Sequence, residues 1–251
     1  MVYTTIAWRR SVNTSNVLTE LTTVADPHIA YTATRFFVPE EMSYLAGAYA
    51  ASSSITNARI DSPSLRRIAP LNISPLNPTS VEPLSPQVMM DFFDNPVKLD
   101  VGEQIGAFSA GAETAATDHV VILFLSPGPV EKVTGPCVTV RATASVTLRA
   151  WEWTPVVPVL ESSIPVGRYR IIGFRAQSDN LIAARIVVPG QPWRPGVLGT
   201  DAVSDIQHER FRFGRAGVMI EFNTSEFFAV ECLAAAADTS EIFWFDLQKV
   251  E

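Results

Sequence analysis

The chain repeats itself at an offset of 126 residues, and that single fact restricts its fold more than any other. Residues 38–63 read VPEEMSYLAGAYAASSSITNARIDSP and residues 164–189 read IPVGRYRIIGFRAQSDNLIAARIVVP, with no gap between the two registers. Eight positions are identical: Pro39/Pro165, Gly47/Gly173, Ala50/Ala176, Ser52/Ser178, Ala58/Ala184, Arg59/Arg185, Ile60/Ile186 and Pro63/Pro189. Val38/Ile164, Leu45/Ile171 and Ile55/Leu181 are conservative pairs. Further on, Val88–Phe92 echoes Val218–Phe222 at a slightly longer offset. Solenoid units run to about 20–50 residues, so this period means a duplicated domain. With 251 residues the chain holds two copies, each long enough to bury its own core. The expected organisation is a first domain over 1–130 with an N-terminal segment of about thirty residues, a linker over 131–136, and a second domain over 137–251.

The pattern inside each copy is that of strands. From Val138 to Ala150 the residues alternate, with Val138, Val140, Ala142, Ala144, Val146, Leu148 and Ala150 on one side and Thr or Arg on most of the other. A period of two predicts one long, half-buried antiparallel strand, the partner of a first-copy strand near the start of the chain. Phe211–Phe213 and Val218–Phe222 repeat the alternation over shorter spans. Val120–Leu125 and Ile242–Phe245 are apolar throughout, which predicts strands covered on both faces. Both 105–116 and 225–237 read as strand plus loop despite their alanines. Prolines cluster at 73–86 and 189–195, glycines punctuate the rest, and the Pro/Gly-rich stretch 126–136 contains the linker. About seven or eight short strands per copy make the fold class all-β: two tandem β-sandwiches related by internal duplication, jelly-roll-type among the choices, with an immunoglobulin-like pair giving a similar pattern.

Composition narrows the function. Hydrophobic residues make up 47% of the chain and charged ones 18%. So lean a polar surface hints that neighbouring subunits cover part of it. The net charge of −7 argues against direct nucleic-acid binding, which calls for a basic patch. Met1–Thr5 lacks a basic opening and no run reaches the ~18 apolar residues of a membrane helix, so synthesis in the cytoplasm is the expectation. Cys137 and Cys232 read as free thiols, with a disulfide as the other option.

A search for catalytic groups finds none, and the expectation is a protein that is not an enzyme and holds no cofactor or metal. His28, His119 and His208 are far apart and show no ligand-pair spacing. Gly106–Gly111 misses the nucleophile-elbow spacing and reads as a loop. Asp205, His208 and Glu209 form a weak cation-holding cluster, and Asp91 and Glu221 read as solvated strand carboxylates at equivalent repeat positions. The sharpest shared motif is Ala-Arg-Ile. Arg59 and Arg185 either tie to a carboxylate or carbonyls at an interface common to both copies or snorkel to solvent from a strand end. Further candidate interface residues are Phe124 and Trp244 in the apolar strands, Trp151 and Trp153 on one strand face, and Trp193 in PGQPWRP.

An internally duplicated all-β chain with two consecutive sandwiches, a Pro/Gly linker and no catalytic constellation resembles the double jelly-roll major capsid proteins of tailless icosahedral viruses. That lineage includes the adenovirus hexon and proteins of many membrane-containing phages. The resemblance implies a structural virion protein, made in the host cytoplasm, whose homotrimers present six lobes and tile an icosahedral shell. It implies contacts with other capsid proteins and with an internal lipid membrane, no direct contact with nucleic acid, and rim or tower loops at 73–86 and 189–201. The alternative is a two-domain carbohydrate- or receptor-binding sandwich, spike or lectin-like, working through Trp151, Trp153 and Trp193. A hydrolase on a double sandwich is a distant third.

Overall fold

The computed structural model describes residues 3–66, 70–76, 89–112, 115–200 and 209–250. The chain divides into two compact units. Among the described residues the first holds 5–76 and 89–129, and the second holds 130–250 together with Tyr3 and Thr4.

The first unit is built from β1 (Thr4–Val12), β2 (Thr19–Glu20), β3 (Thr22–Thr23), β4 (Arg35–Phe37), β5 (Tyr44–Ala51), β6 (Ile55–Asp61), β7 (Leu71–Ile73), β8 (Met90–Asp91), β9 (Val97–Lys98), β10 (Gln104–Gly111) and β11 (Thr117–Ser126). One sheet runs β3-β1-β11-β5-β8, with β9 also on β5. The other runs β2-β10-β6-β7, with β4 also on β10. The second unit contains β12 (Val138–Ala144), β13 (Thr154–Val156), β14 (Val159–Leu160), β15 (Arg168–Gln177), β16 (Leu181–Val187), β17 (Gly196–Leu198), β18 (Ile220–Asn223), β19 (Ala229–Ala234) and β20 (Glu241–Lys249). Its sheets run β14-β12-β20-β15-β18 and β13-β19-β16-β17.

The two orders coincide. In each unit the first long strand lies beside the last, which lies beside the strand that opens the repeat: β1-β11-β5-β8 matches β12-β20-β15-β18, and β2-β10-β6-β7 matches β13-β19-β16-β17. This interleaving is that of two Greek keys wrapped into a jelly-roll-type sandwich. The fold is all-β, as the sequence pattern predicts.

The duplication extends to irregularities. In the first unit Phe124 pairs with Gly47 and Leu125 with Leu45, so Ala46 bulges out of the ladder. In the second, Asp246 pairs with Gly173 and Leu247 with Ile171, so Ile172 bulges. Ala46 and Ile172 are equivalent under the 126-residue offset. Each bulged carbonyl is taken up by a loop amide, Phe92 N–H at 2.7 Å and Gly214 N–H at 2.6 Å. A second pair of bulges sits at Thr56 and Ile182, again equivalent. A bulge inserts a residue and bends the strand, so it is kept as a feature of the fold.

The cores differ in content. In the first unit Trp8 meets Phe36 edge-on at 4.8 Å across the sandwich, and its Nε1 donates to Thr34 O at 3.0 Å. In the second, Phe174 stacks on Phe245 at 5.1 Å, and Phe228 meets both Phe245 and Phe222 edge-on at 4.8 Å. Such aromatic pairs add roughly 0.5–1.5 kcal/mol each beyond the area they bury.

Four expectations are corrected. The strand predicted to run to Ala150 stops at Ala144, because Val146 N–H is captured by the Glu241 side chain and Leu148 N–H by Asp238 O. Phe211–Phe213 is not a strand. Glu209–Phe211 form a 3-10 turn and Phe213 has φ 51°, with Arg212 drawn onto Asp246. Gly106–Gly111 is no loop but most of β10. Finally, β11 is buried on both faces from His119 to Ser126, whereas Ile242 and Trp244 of β20 lie half-exposed.

Candidate interaction surfaces

The polar groups most like a catalytic pair are structural. Ser109 on β10 and His119 on β11 join at 2.8 Å across the core of the first sandwich, and both are fully buried. Among the described residues no group of three His, Cys, Asp or Glu could hold a metal ion. Residues 201–208, which include Asp205 and His208 of the weak cation cluster, lie outside the described residues, as does 77–86 of the proline-rich segment. Cys137 and Cys232 are free thiols. Burial raises both, Cys232 strongly, and the carboxylates of Glu241 and Glu231 add to its shift.

The repeated Ala-Arg-Ile places its two arginines in unlike surroundings. Arg185 on β16 is fully buried, and its Nε donates to Glu231 Oε2 at 2.7 Å. Glu231 stands directly opposite on β19. The Trp153 ring covers the guanidinium at 4.0 Å. Arg59 on β6 stands opposite Phe108 on β10 and lies over its ring at 5.4 Å. Arg35 approaches the same ring at 5.5 Å, so Phe108, half-exposed, sits between two guanidiniums.

The same arrangement recurs on the other sheet of the second sandwich. Trp244 pairs laterally with Arg141 on β12 and Arg175 on β15. Their guanidiniums lie 5.9 and 4.3 Å from its ring. Sheet alternation turns Phe243, Phe245 and Leu247 inward and leaves Ile242, Trp244, Asp246 and Gln248 on the outer face. Asp246 is fully enclosed by donors: Thr139 Oγ1 at 2.6 Å, Arg212 Nε at 2.7 Å and Nη2 at 2.9 Å, and Phe213 N at 3.0 Å. Burial alone would raise its pKa, but these bonds and the Arg212 charge outweigh it and hold the carboxyl below the usual range. Glu221 is likewise lowered, its burial offset by Arg170 and Arg168, both of which it binds. Arg141 pairs with Glu161. Glu221 is therefore no free strand carboxylate.

The remaining candidates scatter. Phe124 is fully buried on β11, 5.9 Å from the Phe93 ring. Trp151 and Trp153 do not share a strand face, because β13 begins only at Thr154 and Trp151 sits in a left-handed turn at φ 62°. Trp153 borders a cavity of about 320 Å³ with Arg149, Glu152 and Thr147. Trp193 is half-buried in the loop before β17, where its carbonyl accepts from Arg194 at 3.4 Å. Sequence reasoning passed over Arg141, Arg175, Arg35 and Phe108. Their signal lies in cross-strand register, which cannot be read until the pairing is known.

No protein-family model matches the chain, and no curated protein does. Among solved structures it is similar to the crystal structure of the major capsid protein P2 from Bacteriophage PM2. The two share 12% identity at a TM-score of 0.27, over 97% of this chain and 98% of that one. A likeness at that TM-score decides neither fold nor role, and the fold rests on the strand orders above.

Proposed function

We propose that the chain is a structural virion protein, a major capsid protein of double jelly-roll type that forms homotrimers and tiles a shell. One observation carries this reading. A single chain holds two sandwiches with the same strand order, and their bulges fall at the same repeat positions. Three such chains offer six similar lobes, a block with near-hexagonal outline that packs a surface without gaps. Closed rings of this kind are built from contacts between unlike surfaces of successive copies. Other capsid proteins and an internal lipid layer would then be its partners in the virion.

The test is the mass of the purified protein in solution together with negative-stain images of the same sample. Trimers of six-lobed outline, or closed shells, are the expected result. A monomer or dimer with no higher assembly at any concentration would overturn the proposal and direct attention to glycan binding beside Trp153.

A further inference from the structure

Equivalent outer faces of the two sandwiches differ in what covers them. In the first, Tyr49, Ile122 and Phe124 are fully buried. Tyr49 stands opposite Ile122, and Gly47 opposite Phe124. In the second, the same ladder positions hold Arg175, Trp244 and Asp246, with Arg175 and Trp244 half-exposed. The equivalent face is thus buried and largely apolar in one sandwich and open and charged in the other. This open face carries Arg141, Arg168, Arg170, Arg175 and Arg212 against Glu161, Glu221 and Asp246, a surplus of cations in a chain of net charge −7.

The complementary charge is found on the first sandwich. A 3-10 turn over Glu40–Met42 leads into β5, and β8 and β9 both pair with β5, Asp91 opposite Gly47 and Lys98 opposite Tyr44. Leu99 N–H donates to Ser43 O at 2.9 Å and ties the strand end to the turn. Glu40, Glu41, Asp91, Asp94 and Asp100 are thereby gathered on one exposed edge with Lys98 as the cation among them.

We propose that the outer face of the β12-β20-β15-β18 sheet is the seat of the acidic β8–β9 edge of a second copy's first sandwich. The contact is between unlike surfaces, so each copy offers one of each and copies join head to tail. The proposal rests on the self-assembling reading above and names the surface through which it works. Trp244, held flat between two guanidiniums, supplies apolar area at the centre of the seat, and the arginines steer the acidic edge to it.

The test is a charge-swap series on the full chain, read by sedimentation across protein and salt concentration. Arg141→Glu with Arg175→Glu reverses the seat, and Glu40→Lys with Glu41→Lys reverses the edge on an exposed turn. Each pair is expected to weaken self-association by about tenfold or more, and the four changes together to restore it. Rising salt is expected to loosen the wild type. Reversals that leave the wild-type oligomer intact, or that dissociate it without rescue by the combination, would overturn the seat while leaving the capsid reading in place. A wild type that never self-associates would overturn both. Retention on duplex DNA or anionic vesicles that the seat variant loses, with its self-association unchanged, would assign the face to a polyanion and overturn the proposal.

Discussion

The β5–β11 and β15–β20 pairs are the same piece of backbone carrying opposite chemistry. Both keep a bulge at the equivalent residue, both satisfy its carbonyl with a loop amide, and both keep a glycine just beyond it. On the outer side the two part: Arg175, Trp244 and Asp246 stand in the second unit at the ladder positions that Tyr49, Ile122 and Phe124 hold in the first. After duplication, the positions that fix backbone geometry are constrained by the sandwich itself. The outer positions answer only to whatever lies against them, and they have gone separate ways.

The comparison can be broken first at the shared glycine. A Cβ on Gly173 would overlap the Asp246 carboxylate, which Arg212, Thr139 and Phe213 lock in place. A Cβ on Gly47 would stand 3.2 Å from Met90 O, Phe93 Cε2 and Phe124 Cδ2, tight but open to small adjustments. Gly173→Ala is expected to cost about 3 kcal/mol and Gly47→Ala about 1 kcal/mol, read from denaturant midpoints. Equal losses would mean the glycine serves the bulge and not its neighbour.

The arginines come next. Arg185→Met removes the fully buried cation that Glu231 binds and is expected to cost about 3 kcal/mol. Arg59→Met removes a partly solvated ring contact and should change stability by about 0.5 kcal/mol. A similar cost at both sites would show that the shared motif has one structural role.

Two carboxyl groups on β20 sharpen the comparison through pH. Asp246 is lowered in the folded chain, so the stability it contributes is present above its unfolded value near 3.8 and fades as pH falls through the folded one. Asp246→Asn should therefore lose about 2 kcal/mol at neutral pH, with the gap to wild type closing in acid. Glu241 behaves the other way. It is fully buried, and its Oε1 has no hydrogen-bond partner. Burial, aided by the Asp238 charge, raises its pKa against the pull of the Val146 N–H. Its contribution is complete below its unfolded value near 4.5 and is lost as pH rises through the folded one. Glu241→Gln should match wild type near pH 4 and exceed it by about 1 kcal/mol at neutral pH. A melting series from about pH 2 to 8 would check both, with the Asp246→Asn gap closing below 3.8 and the Glu241→Gln gap opening above 4.5; a difference that stays flat across its window would remove that carboxylate from the pH response.

Much of the backbone was legible in the sequence. The ungapped repeat lands β5 on β15 and sets the bounds of β6 and β16 126 residues apart, Ile55–Asp61 against Leu181–Val187. Local periodicity and a shared glycine are enough for that. Two kinds of feature were not legible. The run from Val138 keeps alternating past Ala144, yet the strand ends there because a carboxylate 95 residues away takes the next free amide. Trp151 and Trp153 have the spacing of one face, but a left-handed residue between strands turns them apart. The paired arginine–aromatic rows follow from register between strands distant in sequence, so neither Arg141 nor Arg175 stands out along the chain.

Tyr3 has a consequence for how the protein is made. It is fully buried, its ring lies 6.3 Å from Phe211, and its hydroxyl donates to Gly196 O at 2.7 Å across 193 residues of sequence. Tyr3 thus has no place to go until the stretch that holds Gly196 and Phe211, 193 residues and more further along, has been made. Until then its phenol stays in water just ahead of β1, and the N-terminal end of that strand can be set only after that distant stretch has emerged.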